Sequence, residues 1–247
     1  MTTALRPSSR IMRCFFLMVP PALLLAPSTL IGQQTYVTRF DAFGGYAFLD
    51  SPHVNLFENG FAAQGGARVN RWLSLGVDYT FASGDLTLTP DLLTTSLQQQ
   101  LGTELAGLVK AGLIPPNYSL SVGAHSRTQT FAAGPQLSYR HFKKVTFFVR
   151  PVYMGLIHET ATPNPTPTDP IATGIVAQLA PGGKKTDNVL FIGFGGGFDI
   201  ILSKHVSWRT QSDLVYDHLF NDLLQDGRFT TRFSIGPAFN FGRNIVE

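Results

Sequence analysis

Cysteine is almost absent from the chain, whose 247 residues include a single one, Cys14, near the N-terminus. One thiol cannot form an internal disulfide, and it cannot supply the several thiolates of a structural zinc site. Charged residues are scarce as well, at 14% of the sequence. After residue 32 no stretch approaches the roughly 20 consecutive apolar residues of a membrane-spanning helix. The part of the chain after residue 32 must therefore be stable without disulfides or a thiolate metal site.

Residues 1–32 have the three parts of a secretory signal peptide. Arg6, Arg10 and Arg13 precede the apolar run CFFLMVPPALLLA, and the small polar stretch PSTLIGQQ follows it. The alternative, a membrane-anchor helix, needs about 20 apolar residues, whereas this run is shorter and contains two prolines. We therefore expect a signal peptide at 1–32, removed on export, and a single domain at 33–247.

Removing the signal would also remove the net charge. The chain has 19 basic and 16 acidic residues, and three of the arginines lie in the signal, which leaves 16 of each sign. A balanced domain gives no reason to expect a nucleic-acid partner. Cys14 would leave with the signal, so no cysteine nucleophile is expected either.

Apolar and polar residues alternate along most of the remaining chain, which is the pattern of β-strands with two unlike faces. Residues 72–81, WLSLGVDYTF, place leucine, valine, tyrosine and phenylalanine on one face and serine, glycine, aspartate and threonine on the other. Eight segments of this kind occur, at 36–49, 60–70, 72–83, 128–140, 145–158, 188–200, 206–218 and 228–241. Three prolines fall inside them and predict bulges or weakened pairing: Pro135, Pro151 and Pro237.

The polar faces of these segments lack lysine and glutamate, which are expected only in turns, loops and the tail. A soluble sheet would carry both residues on its wet face. We infer that the apolar face meets lipid and the polar face lines an interior. A bilayer tolerates no open sheet edge, so the strands must close into a barrel. The residues singled out as lipid-facing are Leu73, Leu75, Val77, Tyr79, Phe81, Phe233, Phe239 and Phe241.

Charges that point into a narrow barrel must pair or be hydrogen-bonded. The sequence predicts an ion-pair network inside, with Asp78 bonded to Arg68 or Arg140, and glycines at 193–197 that make room for inward arginines. The alternative is that the same residues line a gated pore. The predicted members are Arg39, Asp41, Arg68, Asp78, Arg140, Arg150, Asp199, Arg209, Asp213 and Arg232, with Arg228 also pointing inward.

The alternation, the rhythm of short and long connections and the aromatic-ended stretch RFSIGPAFNF at 232–241 carry a resemblance. The chain resembles the small OmpA/OmpX-type outer-membrane barrels over residues 36–241. The resemblance implies an all-β fold, an eight-stranded antiparallel up-and-down transmembrane β-barrel with short periplasmic turns and long extracellular loops. It also implies location in the cell outer membrane, with outer-membrane lipid and the outer-membrane assembly machinery as partners.

Two long connections are the candidates for contact with a surface ligand. Residues 84–127 contain a helical pattern with Thr89 as its cap, Pro90 as its first residue and leucines on one stripe. Residues 159–187 contain the proline- and threonine-rich stretch TATPNPTPTDP at 160–170, which we expect to be extended or disordered.

The leading function is a structural or adhesion-like surface role through these loops, without enzymatic activity. The alternative is a lipid-modifying enzyme at the barrel rim, where Asp217, His218 and Asp222 lie in DHLFND and His158 is expected nearby. The third is a narrow ion channel. No cofactor is expected, and the histidines lack the spacing of metal ligands.

Overall fold

The structure is a computed structural model that describes residues 34–166, 169–225 and 227–245. The signal expected at 1–32 lies outside these residues. Within the described ranges the chain forms eight antiparallel strands. They are β1 (Thr38–Ser51), β2 (Leu56–Arg68), β3 (Leu73–Leu88), β4 (Val122–Tyr139), β5 (Val145–Asn164), β6 (Lys185–Ile201), β7 (Val206–Asp217) and β8 (Arg228–Asn244).

Each strand pairs with its neighbours in sequence, and β1 pairs with β8 to close the barrel. The predicted eight-stranded up-and-down barrel is therefore confirmed. Three short connections, 69–72, 140–144 and 202–205, lie at one end, which we call the turn end. The other end, which we call the loop end, has the connections 52–55, 89–121, 165–184 and 218–227.

Strands β3, β4, β5 and β6 extend further toward the loop end than the alternation predicts. Thr89 and Pro90 begin a short 3-10 helix, Pro90–Leu92, as its cap and first residue. The α-helix that carries the leucine stripe, α1 (Thr95–Lys110), begins only after it. Within the stretch 160–170, residues 160–164 are extended as the end of β5, and Pro170 begins α2 (Pro170–Leu179). The connection then leads into β6 at Lys185. No helix in the described part of the chain is long and apolar enough to cross a membrane.

The outer wall of the barrel is apolar. On β3, Leu75 and Val77 are 55% and 63% exposed, and the aromatic side chains beside them pack against one another, as Tyr79 and Phe131 do with ring centroids 4.7 Å apart. Leu73, Tyr79, Phe81 and Phe233 are partly exposed on the same surface, and Phe239 and Phe241 are about half exposed. An apolar surface this continuous is far larger than a soluble monomer presents to water.

The ladders of β5 are shifted near two prolines, Pro135 on β4 and Pro151 on β5, and the alternation reverses in β5 alone. The β4–β5 register shifts between Ala133 and Leu137, around Pro135, and the β5–β6 register shifts between Arg150 and Tyr153, around Pro151. Before the second bulge Arg150 points inward, and after it the inward position moves from even to odd numbers, beginning with Tyr153. A proline cannot donate a ladder hydrogen bond, which explains both interruptions.

Pro237 behaves differently. The β7–β8 ladder passes it without a shift, while the β1–β8 pairing is interrupted between the pairs Phe43–Ala238 and Tyr46–Ile235. The proline weakens one ladder and leaves the other intact.

Candidate functional site

The barrel interior holds charged side chains that are almost completely withdrawn from solvent. Within the described part of the chain, these buried side chains include five arginines and seven carboxylates, which form three layers between the turn end and the loop end. They are Asp41, Glu58, Arg68, Asp78, Arg150, Glu159, Asp199, Arg209, Asp213, Asp217, Arg228 and Arg232.

The central cluster consists of Asp78, Arg150, Asp213 and Arg232. Arg232 donates from Nη1 to Asp78 Oδ1 at 2.6 Å and from Nη2 to Asp78 Oδ2 at 3.0 Å. Its Nη2 also donates to Asp213 Oδ2 at 2.7 Å. Arg150 Nη1 lies 3.2 Å from Asp78 Oδ2 and 3.5 Å from Asp213 Oδ2. Two guanidinium groups thus neutralise two carboxylates, in the bidentate geometry that suits arginine.

Tyr153 forms a wall on one side of this cluster. Its ring centroid is 4.0 Å from Arg150 Cζ and 5.5 Å from Arg232 Cζ. The ring fits because Gly193 faces it: a Cβ added at this glycine would lie 2.6 Å from Tyr153 Cζ. The glycines of β6 were expected to make room for arginines, but Gly193 makes room for this tyrosine and Gly195 for Asp213.

The turn-end cluster consists of Asp41, Arg68, Asp199 and Arg209. Arg209 donates to both Asp199 oxygens, at 2.8 and 3.0 Å, and to Asp41 Oδ2 at 3.2 Å. Arg68 Nη2 lies 3.4 Å from Asp41 Oδ1, and its Nη1 donates to the carbonyl of Thr38 at 2.7 Å. Charges are again balanced, two against two.

Two glutamines connect the turn-end and central clusters. Gln64 Nε2 donates to Asp78 Oδ2 at 2.9 Å and to Gln211 Oε1 at 3.0 Å, while Gln64 Oε1 accepts from Arg209 at 3.2 Å. The two voids found beside these layers have volumes of about 20 Å³ each, which is room for roughly one water molecule. The described lumen is filled by its own side chains.

The loop-end cluster consists of Glu58, Glu159, Asp217 and Arg228. Arg228 Nε donates to Asp217 Oδ1 at 2.9 Å, and its Nη2 pairs with Glu159 Oε2. Hydroxyl donors complete the set, since Ser126 donates to Glu159 and Thr128 to Glu58, both at 2.9 Å. One guanidinium here faces three carboxylates.

The network predicted from sequence needs three corrections. Arg39 is exposed, because the β1–β8 register shifts between Thr38 and Phe40 and turns its side chain outward. Arg140 lies at the turn end and donates to the Arg71 carbonyl at 3.0 Å. Asp78 is bonded to neither Arg68 nor Arg140, because β2 and β4 place Gln64 and Ala132 beside it and the arginines come from β8 and β5.

Sequence reasoning missed the acids of the loop-end cluster. Glu58 and Glu159 were expected in loops, but both are buried in strands. The signal was present in the alternation: Glu58 has the parity of Gln64 and Arg68 on β2, and Asp217 has that of Asp213 on β7. Continuing the β2 alternation before residue 60 would have found Glu58, and Asp217 already lay within the expected segment 206–218. Glu159 could not be found in this way, because the bulge at Pro151 reverses the alternation of β5.

The residues considered for lipid chemistry are not assembled into one site. Asp217 is buried in the lumen, where it accepts a hydrogen bond from Arg228. His218 is exposed, and its ring packs edge-on against that of Tyr216 with centroids 5.0 Å apart. His158 Nδ1 is 2.7 Å from Asn188 Oδ1, and Asp222 pairs with Lys185. Within the described ranges no group of three His, Cys, Asp or Glu is placed to hold a metal ion.

The loop end is closed by a folded cap made of α1, α2 and the connection 218–227. Leu93 pairs with Leu224 in a short bridge that joins the start of α1 to that connection. Asp169 begins α2 by accepting from the Ile171 and Ala172 amides, both at 3.0 Å, and from Tyr118 Oη at 2.7 Å.

The same hydrogen bonds shift two pKa values in the cap. The donors at Asp169, first the Ala172 amide and then the Tyr118 hydroxyl, hold the pKa of its carboxyl below the usual value. Burial, with the hydrogen bond to Asp169, raises the pKa of Tyr118 to about 12.

No protein-family model matches the sequence, and no curated protein resembles it at a significant level. The structure is similar to that of Ail, the attachment invasion locus protein of Yersinia pestis, with a TM-score of 0.44 and 11% identity over 83% of this chain and 99% of that chain. It is also similar to Neisserial surface protein A, with a TM-score of 0.46 and 10% identity over 82% and 96%. For OprG from Pseudomonas aeruginosa the TM-score is 0.46, with 9% identity over 85% and 99%.

Identities this low say nothing about a shared ligand, so the function has to be argued from the residues of this chain. The closed barrel, with its apolar outer wall and charged interior, has the architecture of the small OmpA/OmpX-type outer-membrane barrels.

Proposed function

We propose that this chain is exported to a bacterial outer membrane, where the barrel is a closed anchor and the loop end carries a surface-interaction role. The observation that carries the proposal is the inverted polarity of the barrel. Its wall exposes large apolar side chains such as Leu75, Val77 and Phe239, while its interior buries ion pairs such as Arg232–Asp78. A bilayer stabilises this arrangement and water does not.

A structural role for the lumen is favoured over conduction because every charged side chain of the central cluster is ion-paired. Arg150 and Arg232 are each within ion-pair distance of both Asp78 and Asp213. Moving an ion through this layer would require separating buried pairs, since the voids beside them among the described residues measure only about 20 Å³ each. We therefore expect no channel function.

An interaction role for the loop end is favoured by its order and its surface chemistry. Strands of 18 and 20 residues, β4 and β5, exceed the roughly 9–11 residues that a membrane strand needs, so the barrel would extend beyond the lipid. The exposed face of α1 is polar but nearly uncharged, with Thr95, Gln99, Gln100 and Thr103 on it. Such side chains offer hydrogen bonds at low desolvation cost.

Fractionation and electrophoresis test the membrane anchor. We expect the protein in outer-membrane fractions, with gel migration that changes on heating as a folded barrel unfolds. Purified protein in a planar bilayer should give no stable conductance steps. A product in the soluble periplasmic fraction would overturn the anchor, and steady unitary currents would overturn the closed lumen.

Orientation and the interaction role are tested by single cysteines, since the domain after residue 32 has none. A membrane-impermeant maleimide should label Gln100→Cys on intact cells and should label Lys143→Cys, at the turn end, only after permeabilisation. Attaching a polyethylene glycol chain to Gln100→Cys should then reduce retention of cells on a coated slide. Labelling of Lys143→Cys on intact cells would contradict the orientation, and unchanged retention would contradict the interaction role.

Phe239 and Phe241 occupy alternate outward positions near the end of β8. We propose that this strand end is read by the outer-membrane assembly machinery and that outer-membrane lipid surrounds the finished wall. Depletion of that machinery should lower the amount of folded barrel without lowering synthesis; unchanged folding would contradict the dependence.

A further inference from the structure

A cavity of about 100 Å³ lies at the loop end, between the mouth of the barrel and its cap. Its walls are apolar: Leu86 and Val122 come from the strands, Leu101 from α1, Val176 from α2 and Leu224 from the connection 218–227. The strands and all parts of the cap contribute to it, so it is a product of the folded loop end. Glu159 and Arg228 border it on the side of the barrel interior, which we call the floor, and Thr89 and Lys185 also belong to its lining.

The floor belongs to the loop-end cluster, whose charges do not balance. The central and turn-end clusters each match two arginines with two carboxylates, whereas Glu58, Glu159 and Asp217 share Arg228. The nearest lysine on the cavity wall, Lys185, is paired with Asp222 on the exposed side. A cation that reached the floor would therefore meet more carboxyl groups than arginines in a poorly hydrated place.

An unpartnered atom gives independent support for a missing donor. Asp217 Oδ2 is buried and has no hydrogen-bond partner in the described structure, although its other oxygen accepts from Arg228. Asp217, Glu58 and Arg228 border a void of about 20 Å³, and Arg228 lines the larger cavity as well. Buried carboxylate oxygens are rarely left without a donor, so Asp217 Oδ2, like Asp213 Oδ1 in the central cluster, can accept a hydrogen bond from a further donor.

An anionic ligand fits this floor less well than a cationic one. The guanidinium of Arg228 is already held by Glu159 and Asp217, so a carboxylate entering the cavity would have to displace one of them. It would also be placed beside like charges. The cavity volume of about 100 Å³ also limits the size of the ligand, since an apolar cavity of about 150 Å³ holds benzene in another protein.

We propose that the loop-end cavity binds a small primary amine, with its alkyl or aromatic body of about four to six carbons among the leucines and its ammonium group toward the loop-end cluster. The proposal rests on the folded loop end alone, so it stands whether or not the outer surface of the cap binds a partner. The cavity would then select its ligand by charge as well as by the size of the apolar part.

Three probes of nearly equal shape test the selectivity: pentylamine, pentanol and pentanoate, each titrated at pH 7 into the full barrel folded in detergent. We expect pentylamine to bind at least about tenfold more tightly than pentanol, and pentanoate to bind most weakly. Calorimetry gives the affinities, and contacts between probe protons and the Leu101 and Leu224 methyl groups in NMR spectra give the location. Equal affinity for the three probes would overturn the proposal.

Two variants separate charge from shape. Glu159→Gln should lower the affinity for pentylamine while leaving that for pentanol unchanged, because it removes one negative charge from the floor. Leu101→Phe should weaken all three probes by filling the cavity, whereas Leu190→Phe, on the outer wall, should weaken none. Heat-modifiable migration checks that each variant is folded. Pentylamine affinity that is unchanged in Glu159→Gln would refute the amine assignment, even if Leu101→Phe failed to fold.

Discussion

Arg232 of β8 and Asp78 of β3 face each other across the lumen and form two parallel hydrogen bonds of 2.6 and 3.0 Å. The strands that carry them are not neighbours in the barrel. This pair therefore joins opposite walls and, through Arg150 and Asp213, brings β5 and β7 into the same layer. Closure of the sheet places these groups together, and their pairing in turn makes the closed lumen stable.

Replacing Asp78 by leucine should destabilise the barrel strongly. The change leaves Arg150 and Arg232 to share Asp213 as their nearest carboxylate. Removing one partner of a buried ion pair costs about 3–5 kcal/mol, because a charge remains buried without compensation. The free energy of unfolding in urea, measured in lipid vesicles, should fall by this amount.

The matched control is Asp85→Leu on the same strand. Asp85 pairs with His125 at the surface, where its side chain is 87% exposed, and exposed pairs contribute only about 0–1 kcal/mol. The double variant Asp78→Leu, Arg232→Leu should recover part of the loss, since it removes both charges. Equal effects of Asp78→Leu and Asp85→Leu would contradict the importance of the central cluster.

The sequence predicted the strands better than it predicted the partners inside the barrel. Alternation identifies which residues face inward, because its period of two is a property of each strand alone. The pairing of Asp78 depends on the tilt and stagger of all eight strands, so the nearby residues Arg68 and Arg140 were plausible choices and both were wrong. Bulges are a second source of error, as Arg39 and the shift after Pro151 show, since one extra residue reverses every later position.

At the loop end, too, the sequence predicted a structural element but not its contacts with the rest of the barrel. The helical stripe of α1 was visible, but the cavity between that helix and the strands was not, because it requires Leu101, Val176 and Leu224 to meet from three separate segments. α2 was concealed by the proline- and threonine-rich sequence before it, where Pro170 serves as the first helical residue after Asp169.

Replacing Gly193 by alanine should destabilise the central cluster, because the added methyl group would collide with Tyr153. The added Cβ would lie 2.6 Å from the ring of Tyr153, which packs against both arginines of the cluster. Overpacking of this kind costs about 1–3 kcal/mol. We expect Gly193→Ala to lower the urea midpoint, whereas Gly44→Ala, where an added Cβ meets nothing within 4 Å, should leave it almost unchanged. A similar loss in both variants would show that strand glycines matter for a reason other than space.

Acid should loosen the cap at α2. The pKa of Asp169 lies below its ordinary value of 3.8, mainly because the Ala172 amide donates to its carboxylate. The contribution of this carboxylate to stability is therefore complete above pH 3.8 and is lost as the pH falls through the lowered pKa. Pepsin cleavage in 165–184, normalised to an unstructured peptide, should rise over that range.

Two variants assign the acid effect to this side chain. Asp169→Asn keeps a good helix cap without a titrating group, so its cleavage should stay level with pH, while Asp169→Ala should be cleaved faster throughout, having lost a cap of about 1 kcal/mol. Cleavage of Asp169→Asn that still rises in acid would assign the effect to another group. At the alkaline end the sign is opposite: the neutral Tyr118 hydroxyl is favoured in the fold, and its contribution is lost as the pH rises from 10 through about 12.

A single arginine on the outer wall should separate a lipid-facing surface from a water-facing one. Val77 is the middle residue of the outward row from Leu73 to Phe81 and is 63% exposed. If lipid covers this row, Val77→Arg should destabilise the barrel in vesicles by about 2–4 kcal/mol, as expected for a cation near the bilayer midplane. Thr87→Arg, outward on the same strand but nearer the loop end, should have almost no effect, since it would lie beyond the lipid. Equal stability of the two variants would mean that the apolar wall is covered by something other than a membrane.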